Sequence, residues 1–143
     1  MATLSNPTFQ IDILTGMPND YRVSGTVHVE LTPLEMFFIN MGNPLQLQSN
    51  LWGDDTSSLA HRDSPFPPSC WATDDLLSSF TTQSITASGT YRFDATVPRW
   101  ILNEDTPWEG ERDEVYNRFR LVSGSNVLPL DTSTYSPTIT GLF

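Results

Sequence analysis

The sequence predicts an all-β protein, an antiparallel β-sandwich of seven to eight strands built as a single domain over residues 1–143. Apolar and polar residues alternate along most of the chain, which is typical of strands with one face in a core and one in water. Loops rich in proline, glycine, asparagine and aspartate separate these short segments, as in a sandwich. The one clear helical signal covers only about residues 33–41.

The clearest alternation defines four predicted strands, at residues 8–14, 21–31, 45–52 and 84–97. In the second of these Val27 and Val29 share the apolar face, and in the fourth Tyr91 and Phe93 do so. We therefore expect these four side chains in the core. Weaker patterns predict strands at 115–122, 127–130 and 138–142, and residues 76–81 are ambiguous.

The predicted helix begins with a capping box and ends at a glycine. Thr32, Pro33 and Glu35 occupy the N-cap, N1 and N3 positions. Gly42 follows where a C′ glycine ends many helices. Four apolar residues at helical spacing predict that one face of the helix packs on an open end of the sandwich. These residues are Leu34, Phe37, Phe38 and Met41.

In general outline the predicted sandwich resembles immunoglobulin-like and C2-like domains, including a Greek-key chain path. The Cys…Trp…Cys core of antibody domains is absent, because Cys70 is the one cysteine of the chain. A shared outline of this kind implies a fold and leaves the function open.

Composition excludes several classes of protein. The net charge of −10, without a basic run, disfavours a nucleic-acid binder. One cysteine excludes an internal disulfide framework and a multi-cysteine metal site. The sequence shows neither an apolar run of membrane-spanning length nor a Sec signal in its first ten residues. It is therefore compatible with the cytoplasm, a virion or signal-independent export, and predicts no membrane insertion.

Two long acidic loops, residues 53–75 and 102–114, hold eleven of the seventeen acidic residues. Calcium requires six to eight oxygen ligands, which loop carboxylates can supply. If the adjoining strands run up and down as predicted, the loops meet at one end of the sandwich, and a cation would relieve the crowded negative charge. The candidate ligands are Asp54, Asp55, Asp74, Asp75, Glu104, Asp105, Asp113 and Glu114. The alternative is a solubilising acidic surface.

Trp71 and Trp108 lie in the same two loops. An exposed indole can stack on a sugar ring while nearby acids accept hydrogen bonds from hydroxyl groups, which makes a glycan a candidate ligand. Alternatively, both rings fold back over the edge of the core.

Catalytic signals are weak, and we expect no enzymatic activity. His28 lies on the polar face of a predicted strand, where a solvated position is the simpler interpretation. His61 and Cys70 share the first loop and could form a nucleophilic pair. No nucleophile elbow, phosphate-binding loop or H-E-x-x-H motif is present.

The leading hypothesis from the sequence is a non-catalytic structural or interaction subunit that forms a homo-oligomer or docks onto a larger assembly, such as a fibre, capsid, sheath or surface layer. The chain has seven arginines, no lysine and sixteen aromatic residues, a bias shared by protein interfaces. The apolar tail, residues 131–143, could tuck into its own fold or add a strand to a neighbouring subunit. The alternative hypothesis is a calcium-binding or carbohydrate-binding module that uses the acidic loops.

Overall fold

The fold is described from a computed structural model at residues 1–13, 16, 20–53, 75–102, 113–124 and 129–141. These residues form two antiparallel sheets and two short helices, which confirms the predicted all-β sandwich. In the described ranges there are nine strands, compared with the seven to eight predicted. The elements are β1 (Thr3–Ile13), β2 (Asp20–Glu30), α1 (Pro33–Asn40), β3 (Leu45–Gly53), β4 (Asp75–Ser79), β5 (Gln83–Ile85), β6 (Gly89–Pro98), α2 (Arg99–Leu102), β7 (Asp113–Ser123), β8 (Asp131–Tyr135) and β9 (Ile139–Gly141).

The first sheet has the strand order β1-β2-β6, and the second has the order β4-β3-β7-β8. Strand β5 also pairs with β3, and β9 also pairs with β7. The helix α1 connects the first sheet to the second, because it follows β2 and precedes β3. It therefore lies at the end of the first sheet where Val29 pairs with Gly89. Neither helix in the described ranges is long and apolar enough to cross a membrane.

The core lies between the sheets and follows the alternating pattern. Val27 and Val29 are fully buried, and Phe93 is 2% exposed, as the sequence predicts. Tyr91 is half-buried at the margin of the core. The ring of Phe93 lies 5.9 Å from that of Phe80 and 6.0 Å from that of Phe119, so aromatic side chains of both sheets pack at the centre.

The prediction of one continuous strand over residues 84–97 is wrong. The chain bends at Ala87 and Ser88, so β5 joins the second sheet and β6 joins the first. Two hydrogen bonds hold the bend: the Tyr91 hydroxyl donates to the Ala87 carbonyl at 2.6 Å, and the Leu31 N–H donates to Ser88 Oγ at 2.9 Å. The alternation of residue types continues through the bend, so the pattern does not reveal it.

The end of the chain also differs from the prediction. Residues 129 and 130 of the predicted strand 127–130 are not in a strand, and residues 127 and 128 lie outside the described ranges. Pro129 has no N–H to donate to a ladder, which explains why β8 begins only at Asp131. Strands β8 and β9 both pair with β7 of the same chain, so the tail through residue 141 is part of its own sheet.

Candidate functional site

The predicted calcium ligands and stacking tryptophans lie mainly in loop segments that the structure does not describe. Among the described residues, Asp75 begins β4, and Asp113 and Glu114 begin β7. Gly53, the last residue of β3, pairs with both Asp75 and Val115, so β4 and β7 begin at the same end of the second sheet, on either side of β3. Seven predicted site residues lie outside the described ranges: Asp54, Asp55, Asp74, Glu104, Asp105, Trp71 and Trp108.

No group of three or more histidine, cysteine or acidic side chains that could hold a metal occurs in the part of the chain that the structure describes. His61 and Cys70 lie outside that part. His28 is on the outer face of the first sheet, as predicted, where Nε2 lies 3.2 Å from a Glu30 carboxylate oxygen and Nδ1 lies 3.3 Å from the Thr90 hydroxyl. The metal and glycan sites therefore stay predictions.

The helix α1 presents its predicted apolar face to solvent, which corrects the sequence prediction. Leu34 is 54% exposed, Phe37 is 58% exposed and Met41 is 63% exposed. Phe38 is half-buried and makes an edge-to-face contact with Phe37, with 5.8 Å between the ring centroids. We call these four residues the α1 patch.

A buried carboxylate explains why the helix has this orientation. Glu35 is 1% exposed, and its Oε1 accepts a hydrogen bond from the Ala2 N–H at 2.7 Å. Its Oε2 accepts one from the Thr32 N–H at 2.9 Å, which is the glutamate half of the predicted capping box. These bonds fix the face that contains Glu35, Met36 and Ile39 toward the core. The α1 patch lies on the opposite side of the helix.

The chain segment that contains the α1 patch has no exposed charged side chain. Residues 31–44 contain a single charged residue, the buried Glu35. Met1, which is 80% exposed, lies at the same helix, because its α-amino nitrogen is 3.9 Å from Glu35 Oε1. The predicted C-terminal cap is confirmed: Gly42 has a φ of 91°, and Asn43 N–H donates to the Phe38 carbonyl at 3.1 Å. The patch is therefore displayed on a helix that is anchored at both ends.

The outer face of the first sheet, unlike the α1 patch, carries charged side chains that contact one another. Asp94 of β6 accepts hydrogen bonds from Arg92 Nε at 2.6 Å and from Arg22 Nε at 3.1 Å. The hydrogen bond and charge of Asp94 raise the pKa of the Arg92 guanidinium. The hydrogen bond from Arg92, aided by Arg22, lowers the pKa of the Asp94 carboxyl. Both shifts favour the ionised forms of Arg92 and Asp94 on this exposed sheet face.

A small polar cluster lies inside the sandwich, which the sequence analysis did not identify. Ser49 Oγ donates to Asn117 Oδ1 at 2.9 Å, and the Asn117 N–H donates to Ser136 Oγ at 2.9 Å. Ser49 and Asn117 are fully buried, and Ser136 is 2% exposed. The sequence does contain a signal for this cluster, because a polar residue occupies an inward position in a strand where apolar and polar residues otherwise alternate. Because these groups are inaccessible to solvent, the cluster positions strands and does not bind a ligand from solution.

Comparisons of the chain with protein-family models, curated proteins and solved structures gave no match. Function is therefore inferred from the residues of this chain alone. In its described ranges the feature that differs most from an ordinary protein surface is the α1 patch, because large apolar side chains at helical spacing are exposed without an exposed charge among them.

Proposed function

We propose that this protein is a non-catalytic interaction subunit of a larger protein assembly, and that it acts by binding a second copy of itself or another subunit of a fibre, capsid, sheath or surface layer. The observation that carries the proposal is the α1 patch: Leu34, Phe37 and Met41 are each more than half exposed on an anchored helix. Leaving such apolar area in water costs free energy that association recovers.

The chemistry of the patch suits a protein partner. Methionine and aromatic residues are enriched in the centres of protein interfaces, and charged residues are depleted there. The whole chain carries a charge of −10, so two copies repel each other at long range. They approach at the lowest electrostatic cost through a surface without exposed charge, and the α1 patch is such a surface.

The size of the patch indicates that it is one part of an interface. Specific interfaces bury about 1,200–2,000 Å² in total, whereas four partly exposed side chains supply only a few hundred. We therefore expect further surfaces of the protein to contribute to association.

The proposal is tested by measuring the concentration dependence of the sedimentation coefficient of the wild-type protein and of Phe37→Ser. We expect the wild type to associate at micromolar concentrations and the substitution to raise the dissociation constant at least roughly tenfold. A wild type that stays monomeric at about 100 µM, far above such dissociation constants, would overturn self-association.

Leu76→Ser is the matched control. Leu76 is 53% exposed, close to the 58% of Phe37, but it pairs with Trp52 at the far end of β3 from α1. We expect this control to associate like the wild type. Equal losses from both substitutions would contradict a specific role for the α1 patch, because they would show that any exposed apolar side chain contributes to the same extent.

We also propose, as a second candidate, that the end of the sandwich bearing Asp75, Asp113 and Glu114 binds calcium, with or without a glycan. The pairing of Gly53 with Asp75 and Val115 supports this candidate, because it brings the acidic starts of β4 and β7 to one sheet end. Calorimetric titration with calcium, followed by a glycan array, tests it. Absence of binding heat and of glycan signal would remove this candidate and leave the first one intact.

A further inference from the structure

The strand β6 forms an open and regular sheet edge. It pairs with β2 through ten consecutive residue pairs, from Asp20–Pro98 to Val29–Gly89, without a register shift. No other strand in the described ranges pairs with β6. An open edge of this length presents a row of backbone donors and acceptors to a further strand.

The opposite edge of the same sheet is protected. Strand β1 has an irregularity in its pairing between Ser5 and Thr8, with Asn6 at a φ of 50° and Pro7 beside it. It also lies against β7 and β8 of the second sheet. Bulges, prolines and covering strands are the usual devices against edge-to-edge pairing. In β6, by contrast, the only proline is the last residue, Pro98.

One hydrogen bond shows which backbone groups of β6 point away from β2. Gln83 Nε2 donates to the carbonyl oxygen of Arg92 at 2.7 Å, so that carbonyl is directed to the open side. Along an antiparallel strand the backbone N–H and C=O groups of successive residues point alternately to one side and to the other. The backbone groups that point outward with Arg92 are therefore those of Thr90, Asp94 and Thr96. A carbonyl oxygen accepts two hydrogen bonds, so the bond from Gln83 does not exclude a second donor.

The charges on β6 favour one register for pairing with a second copy of the same strand, because only in that register do opposite charges face each other. In an antiparallel pair centred on Phe93, Arg92 of each copy lies opposite Asp94 of the other. A pair centred on Arg92 or on Asp94 would place like charges opposite each other, which is unfavourable. The register centred on Phe93 also makes Arg92 and Asp94 a hydrogen-bonded pair, because both present their backbone groups outward.

We propose that β6 is the edge through which two copies of this chain pair, giving a continuous six-stranded antiparallel sheet with two Arg92–Asp94 contacts between the copies. The inference rests on the proposed function and deepens it, since it names the partner and a second contact surface separate from the α1 patch. The strand that pairs with this edge is β6 of a second copy, because the charges of β6 are complementary to those of the same strand in the antiparallel register. The strand also has no net charge, although the whole chain carries a charge of −10.

Exchanging the charges tests the proposal. With Arg92→Asp, two acidic residues face two acidic residues across the pair, and with Asp94→Arg two basic residues face two basic residues. We expect each variant alone to have a dissociation constant at least roughly tenfold above that of the wild type. In an equimolar mixture the two variants complement each other, so mass-resolved light scattering should show a mixed dimer. Thr96→Pro, which removes one outward N–H, should weaken self-pairing without altering the bonds to β2.

The outcomes separate this inference from the proposed function. If the single variants associate like the wild type, or if their mixture stays monomeric, β6 pairing is wrong. If Phe37→Ser still weakens association in that case, the proposed function holds through the α1 patch. A wild type that stays monomeric at about 100 µM overturns β6 pairing and self-association through the α1 patch, and leaves binding to a different subunit as the remaining form of the proposed function. Thermal melting of each variant confirms that a loss of association does not result from unfolding.

Discussion

Gly25 of β2 lies directly against the side-chain amide of Asn117 of β7. A Cβ atom at position 25 would lie 2.7 Å from Asn117 Nδ2, 3.0 Å from the Phe119 ring and 3.1 Å from the Thr8 carbonyl oxygen. These distances are too short for carbon contacts. Glycine at this position therefore lets the first sheet approach the buried polar cluster of the second.

We expect Gly25→Ala to destabilise the protein by about 1–3 kcal/mol, because the added methyl group forces the surrounding side chains or the two sheets apart. Chemical denaturation of the purified protein measures this change. Gly89→Ala is the control, since a Cβ at that position meets no atom within 4 Å. The control should be nearly neutral. Equal stability of the two variants would show that the sheets do not approach each other as described.

Glu35 is the second predicted stability determinant. Glu35→Ala leaves the N–H groups of Ala2 and Thr32 without their carboxylate acceptor, one of them in a buried position. We expect a loss of about 2–4 kcal/mol, with faster hydrogen exchange in α1. Glu35→Gln keeps one acceptor oxygen and should cost less. Glu30→Ala removes a carboxylate that is 63% exposed and should change stability little.

The ion pair between Arg120 and Asp131 predicts a loss of stability in acid. Arg120 donates to Asp131 from Nε at 2.8 Å, and this hydrogen bond lowers the pKa of the carboxyl, with the charge of Arg118 contributing less. A carboxyl whose pKa is lower in the folded state stabilises the fold above its unfolded pKa, and the contribution disappears as pH falls through the folded value. The contribution is therefore present at neutral pH and is lost below about pH 4.

Thermal melting of wild type and Asp131→Asn across this range measures the effect. We expect the wild type to lose more stability in acid than the variant does, by a small amount, because both side chains are exposed and water screens the pair. Added salt should narrow the difference. An unchanged pH profile after Asp131→Asn would show that the pair does not stabilise β8 against β7.

The strand pattern was predictable because burial and residue type agree along each strand. Val27, Val29 and Phe93 alternate with polar residues, and all three are buried. The orientation of α1 was not predictable in the same way, because the helix has two apolar faces. The face that packs inward is set by Glu35, whose hydrogen bond to Ala2 spans thirty-three residues. Local periodicity contains no information about a contact of that range.

The positions of the polar and acidic side chains were less predictable than the strands for a related reason. Ser49 and Asn117 are polar residues at inward positions, so the alternation counts them as interruptions although they bind each other. The acidic residues were hard to assign for a different reason. They are so numerous that many combinations of them could form a metal site, and only the strand register shows which of them lie at the same end of a sheet. That register places Asp75 and Glu114 at the same end of the second sheet, on either side of β3. It leaves their role as ligands a prediction.

Because Phe37 is exposed and Phe93 is buried, we expect truncation of these two phenylalanines to have very different effects on stability. Phe93 is 2% exposed and contacts the rings of Phe80 and Phe119. Truncating it to alanine removes a core ring and should cost about 3–5 kcal/mol. Phe37→Ala removes a ring that is largely in water and introduces a better helix former. We therefore expect its free energy of unfolding, measured by denaturation at concentrations low enough to keep the chain monomeric, to stay within about 0.5 kcal/mol of wild type. A large loss from Phe37→Ala would mean that α1 packs as the sequence pattern first suggested, and the surface proposed to bind a protein partner would then belong to the core.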